Sequence, residues 1–351
     1  MVTGTAVAAN FQEQLHYIDD EASGVRGVIA IHSTALGPAA GGCRLWHYDS
    51  DQDMSADAIR LARGMSYKNA LAGLPFGGGK AVLRRPSGAF DRKAFFRVLG
   101  EAVEALGGQY ITAEDVGTSV GDMKAVREHT SYVAGLVTAR GMAGGDPSPW
   151  TALGVFLSMR EAARMSLGSD VAGLTVAVQG VGNVGTGMCR LLAEAGAKLI
   201  IADVSRDRVN DLVQELGAVA MDTDEIVGAE ADIFAPCALG AVINERSIPQ
   251  IKARLICGGA NNQLATLEDG FELQRRGIAY APDYLVNAGG IINVAAEYLR
   301  ETTDEVRERV ARIPDRLREV LLLSSQTGQP PHLVADAMAE QIITSARAEV
   351  V

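Results

Sequence analysis

Cysteine is scarce in this chain: Cys43, Cys189, Cys237 and Cys257 are the four among 351 residues. None is spaced as CxxC and none lies beside a histidine pair. That excludes a disulfide-stapled miniprotein and leaves no zinc-ligand pattern, so the thiols read as reduced and buried, as in a cytoplasmic protein. No run of ~18 apolar residues offers a membrane span. The start, Met1 to Phe11, lacks the basic and apolar regions of a secretory signal, so neither secretion nor membrane insertion is expected. Positive charge is also short. Lys plus Arg number 32 against 43 Asp plus Glu, a net charge of -11, which disfavours nucleic acid and anionic lipid as partners. The five histidines are scattered without metal spacing or a nearby nucleophile, and no GxSxG is present, so none is assigned a catalytic role and no metal is expected.

What remains is a chain of 48% hydrophobic and 21% charged residues, the balance of a globular protein. At ~150 residues per domain its length suits two domains. Glycine is plentiful, 39 residues, as expected where backbone turns tightly or approaches a ligand. A strand is expected from Val25 to Ser33, followed by the loop Leu36-Gly37-Pro38-Ala39-Ala40-Gly41-Gly42. Between Met54 and Ala72, apolar residues at 54, 58, 61, 65 and 72 follow one helical face. The series skips Lys68, which would put a lysine in a core-facing slot. Next come a glycine loop, Gly77-Gly78-Gly79, with Lys80 opening a strand near Ala81 to Leu83, a helix from Phe90 to Leu106, and a strand from Tyr110 to Ala113 ending at Glu114-Asp115. Gly and Pro crowd the stretch Gly141 to Pro149, where a domain boundary is placed. Beyond it, helix Trp150 to Met165, strand Leu174 to Gln179, helix Val184 to Gly196 and strand Lys198 to Asp203 begin a βαβ alternation, the pattern of a doubly wound parallel sheet. Further strands are expected at Asp232 to Ala235, Leu255 to Cys257 and Ile278 to Tyr280. From Glu301 on, helices broken by Gly328-Gln329-Pro330-Pro331 close the chain. The implied division is 1–145, 146–325 and a C-terminal helix, 326–351, returning to the first domain.

The clearest chemical motif is Gly180-Val181-Gly182-Asn183-Val184-Gly185, which follows a strand and opens a helix. Its glycines allow a tight turn and close backbone approach to a pyrophosphate, and the helix N-terminus favours negative charge. Asp203, 18 residues past Gly185, stands where a carboxylate accepts hydrogen bonds from a ribose and repels a 2′-phosphate, favouring NAD over NADP. Arg206 and Arg208 just beyond read as solvated helix charges. A lysine at position 68 would be explained by a bound anion. Lys80, after three glycines, stands where an amine partly shielded from water can serve as a base. Asp115 fits either a ligand position at a strand end or a cap for a helix starting near Ser119. Asn261-Asn262 and Asn287 sit beside glycines, as donors and acceptors for a ligand amide or as turn residues.

Together these segments resemble the glutamate, leucine, valine and phenylalanine dehydrogenases. The likeness covers nearly the whole chain, including Gly64-Met65-Ser66-Tyr67-Lys68, Gly77-Gly78-Gly79-Lys80, Thr112-Ala113-Glu114-Asp115-Val116-Gly117, Gly145-Asp146-Pro147-Ser148-Pro149 and Ala281-Pro282-Asp283-Tyr284. It is greatest to the short, leucine-type branch. The resemblance implies an N-terminal substrate and oligomerisation domain, a Rossmann-type NAD-binding domain, and a cleft between them. It implies oxidative deamination of an L-amino acid to a 2-oxo acid and ammonium with NAD, in a homo-oligomer. Lys68 would hold the α-carboxylate with help from Gly41 and Gly42. Lys80 would be the general base, and Asp115 would bind the amino group. Thr151 and Asn262 would orient the nicotinamide and ribose, and Asn287 would lie near the substrate amine. Where glutamate-specific relatives grip a side-chain carboxylate, this chain has Ala40 and Val294. An apolar pocket of Ala40, Ala113, Val286, Ile291 and Val294 would instead take leucine, valine or isoleucine, with phenylalanine as the alternative because Ala40 is smaller than its leucine-branch counterpart. A silent NAD-binding sensor is the remaining reading. The retained Lys68, Lys80 and Asp115 argue against it.

Overall fold

Residues 13–136 and 139–350 are described by a computed structural model, and they divide into two units. The expectation about Met1 to Phe11 lies outside the described residues.

The first unit is organised around an eight-residue strand, Gly77–Arg84, whose first half the sequence reads as a glycine loop. Strands β1 (Gln14–Asp20), β2 (Val25–Ser33), β3 (Ala39–Ala40), β4 (Cys43–Trp46), β5 (Gly77–Arg84) and β6 (Tyr110–Ile111) form one sheet in the order β1-β2-β5-β3-β6, with β4 also paired to β5. β5 is antiparallel to β2 and parallel to β3 and β4. Side chains alternate along a strand. Val28, Ala30 and Val82 accordingly pack with Met54, Ala58 and Ala62 of helix α1 (Asp51–Leu71), while Ile29, Ile31, Ala81 and Leu83 pack with the other layer, α2 (Arg92–Ala105) and α3 (Val120–Arg127). With both faces covered, β5 is buried from Gly77 to Leu83. The glycines are what permit this. A Cβ on Gly78 would fall 2.0 Å from Ser66 N of α1, and one on Gly79 would fall 2.8 Å from the Tyr110 ring. The buried stripe of α1 runs Met54, Ala58, Ala62, Ser66, Asn69, Ala70, so Lys68 occupies its half-buried flank rather than a core slot.

The second unit begins at Gly141, not at 146. Backbone and side-chain bonds tie the glycine-rich stretch to it: Ala143 N–H donates to Glu301 O at 3.0 Å and Gly144 N–H to Asn293 Oδ1 at 3.0 Å. Helix α4 (Ser148–Leu167) precedes β7 (Thr175–Gln179), α5 (Asn183–Glu194), β8 (Lys198–Ala202), α6 (Arg206–Leu216), β9 (Val219–Ala220), β10 (Ile233–Pro236), β11 (Leu255–Ile256), α7 (Leu267–Arg275) and β12 (Ala279–Tyr280). The sheet order is β12-β11-β10-β7-β8-β9, parallel throughout. This is the doubly wound arrangement, with its reversal of strand order at β7 and β10. Helices α8 (Asp283–Val286), α9 (Gly289–Leu299), α10 (Thr303–Val310), α11 (Ile313–Thr327) and α12 (Pro331–Val350) follow. The chain from Ala337 on, rather than from 326, belongs to the first unit, as does Glu297–Leu299. Among the described residues no helix is long and apolar enough to cross a membrane.

Candidate active site

Lys80 shares its face of β5 with Gly78 and Val82, the side of the sheet on which α1 lies. Because Ser66 touches Gly78, the two lysine-bearing segments, 66–68 and 78–80, run side by side. The Lys80 side chain is 6% exposed and its Nζ lies 2.7 Å from Asp115 Oδ2. An ammonium so withdrawn from water requires a counter-charge. Asp115 stands at the carboxyl end of β6, where Cys43 of β4 bridges Glu114. The Thr118 hydroxyl fixes its backbone by accepting from Asp115 N–H at 2.9 Å. Ser119, not Asp115, caps α3, its Oγ accepting from Asp122 N–H at 3.3 Å. Burial opposes ionisation of Asp115, yet Lys80 and, behind it, Arg44 hold its carboxyl below the usual range.

Around this pair the backbone is bare. A Cβ on Gly42 would lie 2.8 Å from Asp115 Cβ, and one on Gly41 would lie 1.9 Å from Gly79 O. Only glycine allows the β3–β4 break to close on β5. Gly41 N–H is already taken by Ile111 O at 3.2 Å; of the two expected carboxylate contacts, Gly42 is therefore the candidate donor. Ala40 and Ala113 are buried at 9% and 7% exposure. Two neighbours escaped the sequence reading. Met65, counted there with the helix core, has its Cγ 3.1 Å from the place of a Gly41 Cβ, and Arg44 approaches Asp115 Oδ2 at 3.5 Å.

The second unit holds the other predicted residues. The turn after β7 gives each glycine a different task. Gly180 adopts φ +95°, a Cβ on Gly185 would fall 2.0 Å from Gly180 O, and at Gly182 the nearest atom is Arg208 Nη1, 3.9 Å away. Gly180 thus makes the turn, Gly185 lets helix α5 pack against it, and Gly182 leaves space. No side chain caps α5 at Gly182. Asp203 accepts from Val181 N–H and Ser205 N–H, each at 2.8 Å. Arg208, expected to be a solvated charge, has its Nη1 3.7 Å from Asp203 Oδ2.

Further along, Asn287 is 3% exposed. Its amide donates to Asn261 Oδ1 at 2.8 Å and Gly259 O at 3.3 Å, while its own Oδ1 is buried without a partner among the described residues. A buried acceptor of this kind calls for a ligand donor such as a carboxamide NH2. Asn262, the predicted contact, is exposed with φ +52°; Asn261 is the residue that meets Asn287. Thr151 faces Gly290, whose Cβ would come within 2.7 Å of its hydroxyl. Ile291 and Val294, one turn apart on α9, are half-buried, with Ile292 and Asn293 between them buried. Val286 is fully buried and packs in the core rather than lining open space. The open turn, the Asp203 carboxylate and the orphaned Asn287 acceptor together suit a dinucleotide with an amide-bearing ring.

Comparison with known proteins agrees with this chemistry. Residues 8–132 match the model for the Glu/Leu/Phe/Val dehydrogenase dimerisation domain, and residues 146–211 and 200–350 match the Glutamate/Leucine/Phenylalanine/Valine dehydrogenase model. Leucine dehydrogenase of Geobacillus stearothermophilus is 47% identical over 336 residues, covering 95% of this chain and 91% of the relative. Valine dehydrogenase of Streptomyces albus is 43% identical over 340 residues, 96% of this chain and 93% of the relative. Among solved structures, L-tryptophan dehydrogenase from Nostoc punctiforme superimposes with a TM-score of 0.85 at 35% identity, over 95% of this chain and 96% of that one.

Proposed function

The chain belongs to the glutamate/leucine/phenylalanine/valine dehydrogenase family, and from that membership we propose that it converts an apolar L-amino acid reversibly into its 2-oxo acid, ammonium and a proton, using NAD. Leucine, valine and isoleucine are the proposed substrates, in keeping with the leucine and valine dehydrogenases it resembles. The observation that carries the mechanism is the 2.7 Å contact between Lys80 and Asp115 in a buried setting.

Bound nicotinamide supplies the hydride acceptor. Lys68 and Gly42 hold the substrate α-carboxylate, orienting the carbon that loses hydride. Asp115 accepts a hydrogen bond from the amino group and stays ionised, and ammonia departs with the proton that Lys80 has gained. Lys80 takes a proton from the water that adds to the same carbon, and its shielding limits competing water. Asn287, with its orphaned oxygen, and Thr151 suit the ring amide of the cofactor. Asp203 is the reason for NAD rather than NADP, since its carboxylate opposes a 2′-phosphate. Assembly into a homo-oligomer is part of the reading, supported by the dimerisation-domain match, and so is a cytoplasmic location, supported by four free thiols.

Ala40 favours a second reading, because a small residue there leaves room for a phenyl or indole ring, and a tryptophan dehydrogenase is among the relatives. One assay tests both: NADH formation at alkaline pH with leucine, valine, isoleucine, phenylalanine, tryptophan and glutamate in turn. The expected result is highest kcat/KM for an aliphatic substrate and little with glutamate. Preference for an aromatic substrate selects the second reading, and six inert substrates with NADH still bound would overturn both.

A further inference from the structure

We propose that Arg44 is the positioning residue of the Lys80–Asp115 pair, its fixed positive charge keeping the Asp115 carboxylate ionised and aimed while Lys80 gains and loses its proton. The inference rests on the reading of Lys80 as the base. It starts from the geometry of one oxygen: Asp115 Oδ2 lies 2.7 Å from Lys80 Nζ and 3.5 Å from Arg44 Nε. Arg44 stands on β4 opposite Val82 of β5, and its side chain is 20% exposed. The far end of its guanidinium is anchored, with Nη1 donating to Asp57 Oδ2 at 3.0 Å. Asp57 is in turn held by the Tyr48 hydroxyl and by Arg60, each at 2.6 Å. The Nε edge is thereby turned towards Asp115; it is buried and has no hydrogen-bond partner among the described residues.

Two cations on one carboxylate have different uses because only one of them can give up its proton. A guanidinium stays charged at any working pH, whereas a lysine that acts as a base must spend part of each cycle neutral. When Lys80 is neutral its attraction for Asp115 disappears, and a buried carboxylate left without a counter-charge relieves itself by taking up a proton. Arg44 removes that need. With Arg44 3.5 Å from Asp115 Oδ2, that carboxylate keeps a counter-charge while Lys80 is neutral, so removing Arg44 favours a proton on the pair. Other groups facing the pair do not duplicate this. Asp57 and Arg60 are mutually paired, Asp122 is taken by Arg92, and burial pushes the Cys43 thiol and Tyr110 phenol up, so that both stay neutral. Lys68, on α1, is assigned to the substrate carboxylate.

The test compares the full-length wild type with R44Q and R44K. Two readouts are followed against pH: kcat/KM for the best apolar amino acid with saturating NAD, and the rate at which Lys80 is trace-labelled by acetic anhydride, which needs no turnover. For R44Q the acidic limb and the labelling midpoint should both rise by about one pH unit, with kcat down ~10-fold and KM for the amino acid within ~3-fold. R44K keeps the charge, so both midpoints should return to within about 0.3 pH unit of wild type even if its kcat stays low. A labelling midpoint unmoved in R44Q, or moved equally in R44K, would overturn the role of Arg44. Wild type inert towards every amino acid would instead sink the dehydrogenase reading, while the labelling comparison still decides what Arg44 does.

Discussion

A buried ion pair such as Lys80 with Asp115 does little for stability on its own account, because both charges must first leave water. Chemistry is a better reason to keep one. Replacing Lys80 by Ala should lower turnover by ~10³-fold or more while NADH affinity, followed by fluorescence titration, changes by no more than ~3-fold. Near-normal turnover would remove Lys80 as the base. Lys68→Ala should behave otherwise, raising KM for the amino acid by ~10-fold or more and leaving KM for NAD nearly constant, since it deletes binding shared by ground and transition states. For the cofactor, Asp203→Ser should narrow the preference for NAD over NADP by ~10-fold or more, measured as a ratio of kcat/KM values. Arg208 lies 3.7 Å from that carboxylate and would be left facing the added phosphate. Lys80, Asp115 and Asp203 could be picked out in the sequence because Lys80 follows three glycines, Asp115 follows a short apolar run, and Asp203 follows the strand after the glycine turn. Arg44 could not, since its partners Asp57 and Asp115 are 13 and 71 positions away and no local pattern marks an arginine that will meet both.

The glycines separate into those that serve packing and those that serve a ligand, and substitution distinguishes them. Gly182→Ala adds a methyl group into space where only Arg208 comes within 4 Å, so the melting temperature should hold within about 1 °C while NADH affinity falls ~10-fold. Gly185→Ala drives the same group to within 2.0 Å of Gly180 O. It should cost ~1–3 kcal/mol, seen as a drop of several degrees in melting temperature whether or not NADH is present. A loss of stability in both, or in neither, would contradict this division. The turn was legible because the glycine spacing falls between a β-rich run and an amphipathic helix. Gly77-Gly78-Gly79 misled for a related reason: glycine is a poor strand former by propensity, and only the approach of Ser66 and Tyr110, unseen from sequence, makes it necessary in a central strand. The stripe on α1 shifted likewise. Counting large apolar residues picked Leu61 and Met65, whereas packing against β2 and β5 selected the smaller Ala62 and Ser66, and with them the flank position of Lys68.

At the level of the whole molecule, acid should loosen the first unit. His32 on β2 is buried with its Nδ1 2.8 Å from Ser66 Oγ. Burial, seconded by Arg63 and Arg347 against the opposing pull of Glu340, lowers its pKa from 6.5 to about 4. The unfolded chain therefore binds the extra proton between those values, so this contribution to stability is complete above pH ~6.5 and is lost as pH falls towards 4, at ~1.4 kcal/mol per unit at most. Melting curves from pH 7 to 4 should fall less steeply for His32→Gln than for wild type; equal slopes would remove His32 from the account. Glu340, whose charge reaches His32, accepts hydrogen bonds from Tyr67 and Arg63 of α1. It lies in the segment from Ala337 on, which completes the unit begun by β1 to β6. Synthesis runs from N- to C-terminus, so the second unit has all of its sequence before the first does. On the ribosome the earlier-made sheet must wait, its α1 partners unfilled, until the segment from Ala337 on has been made. A nascent chain arrested before Ala337 would carry the whole of the second unit and an unfinished first one, and protease sensitivity would concentrate in the part that was translated first.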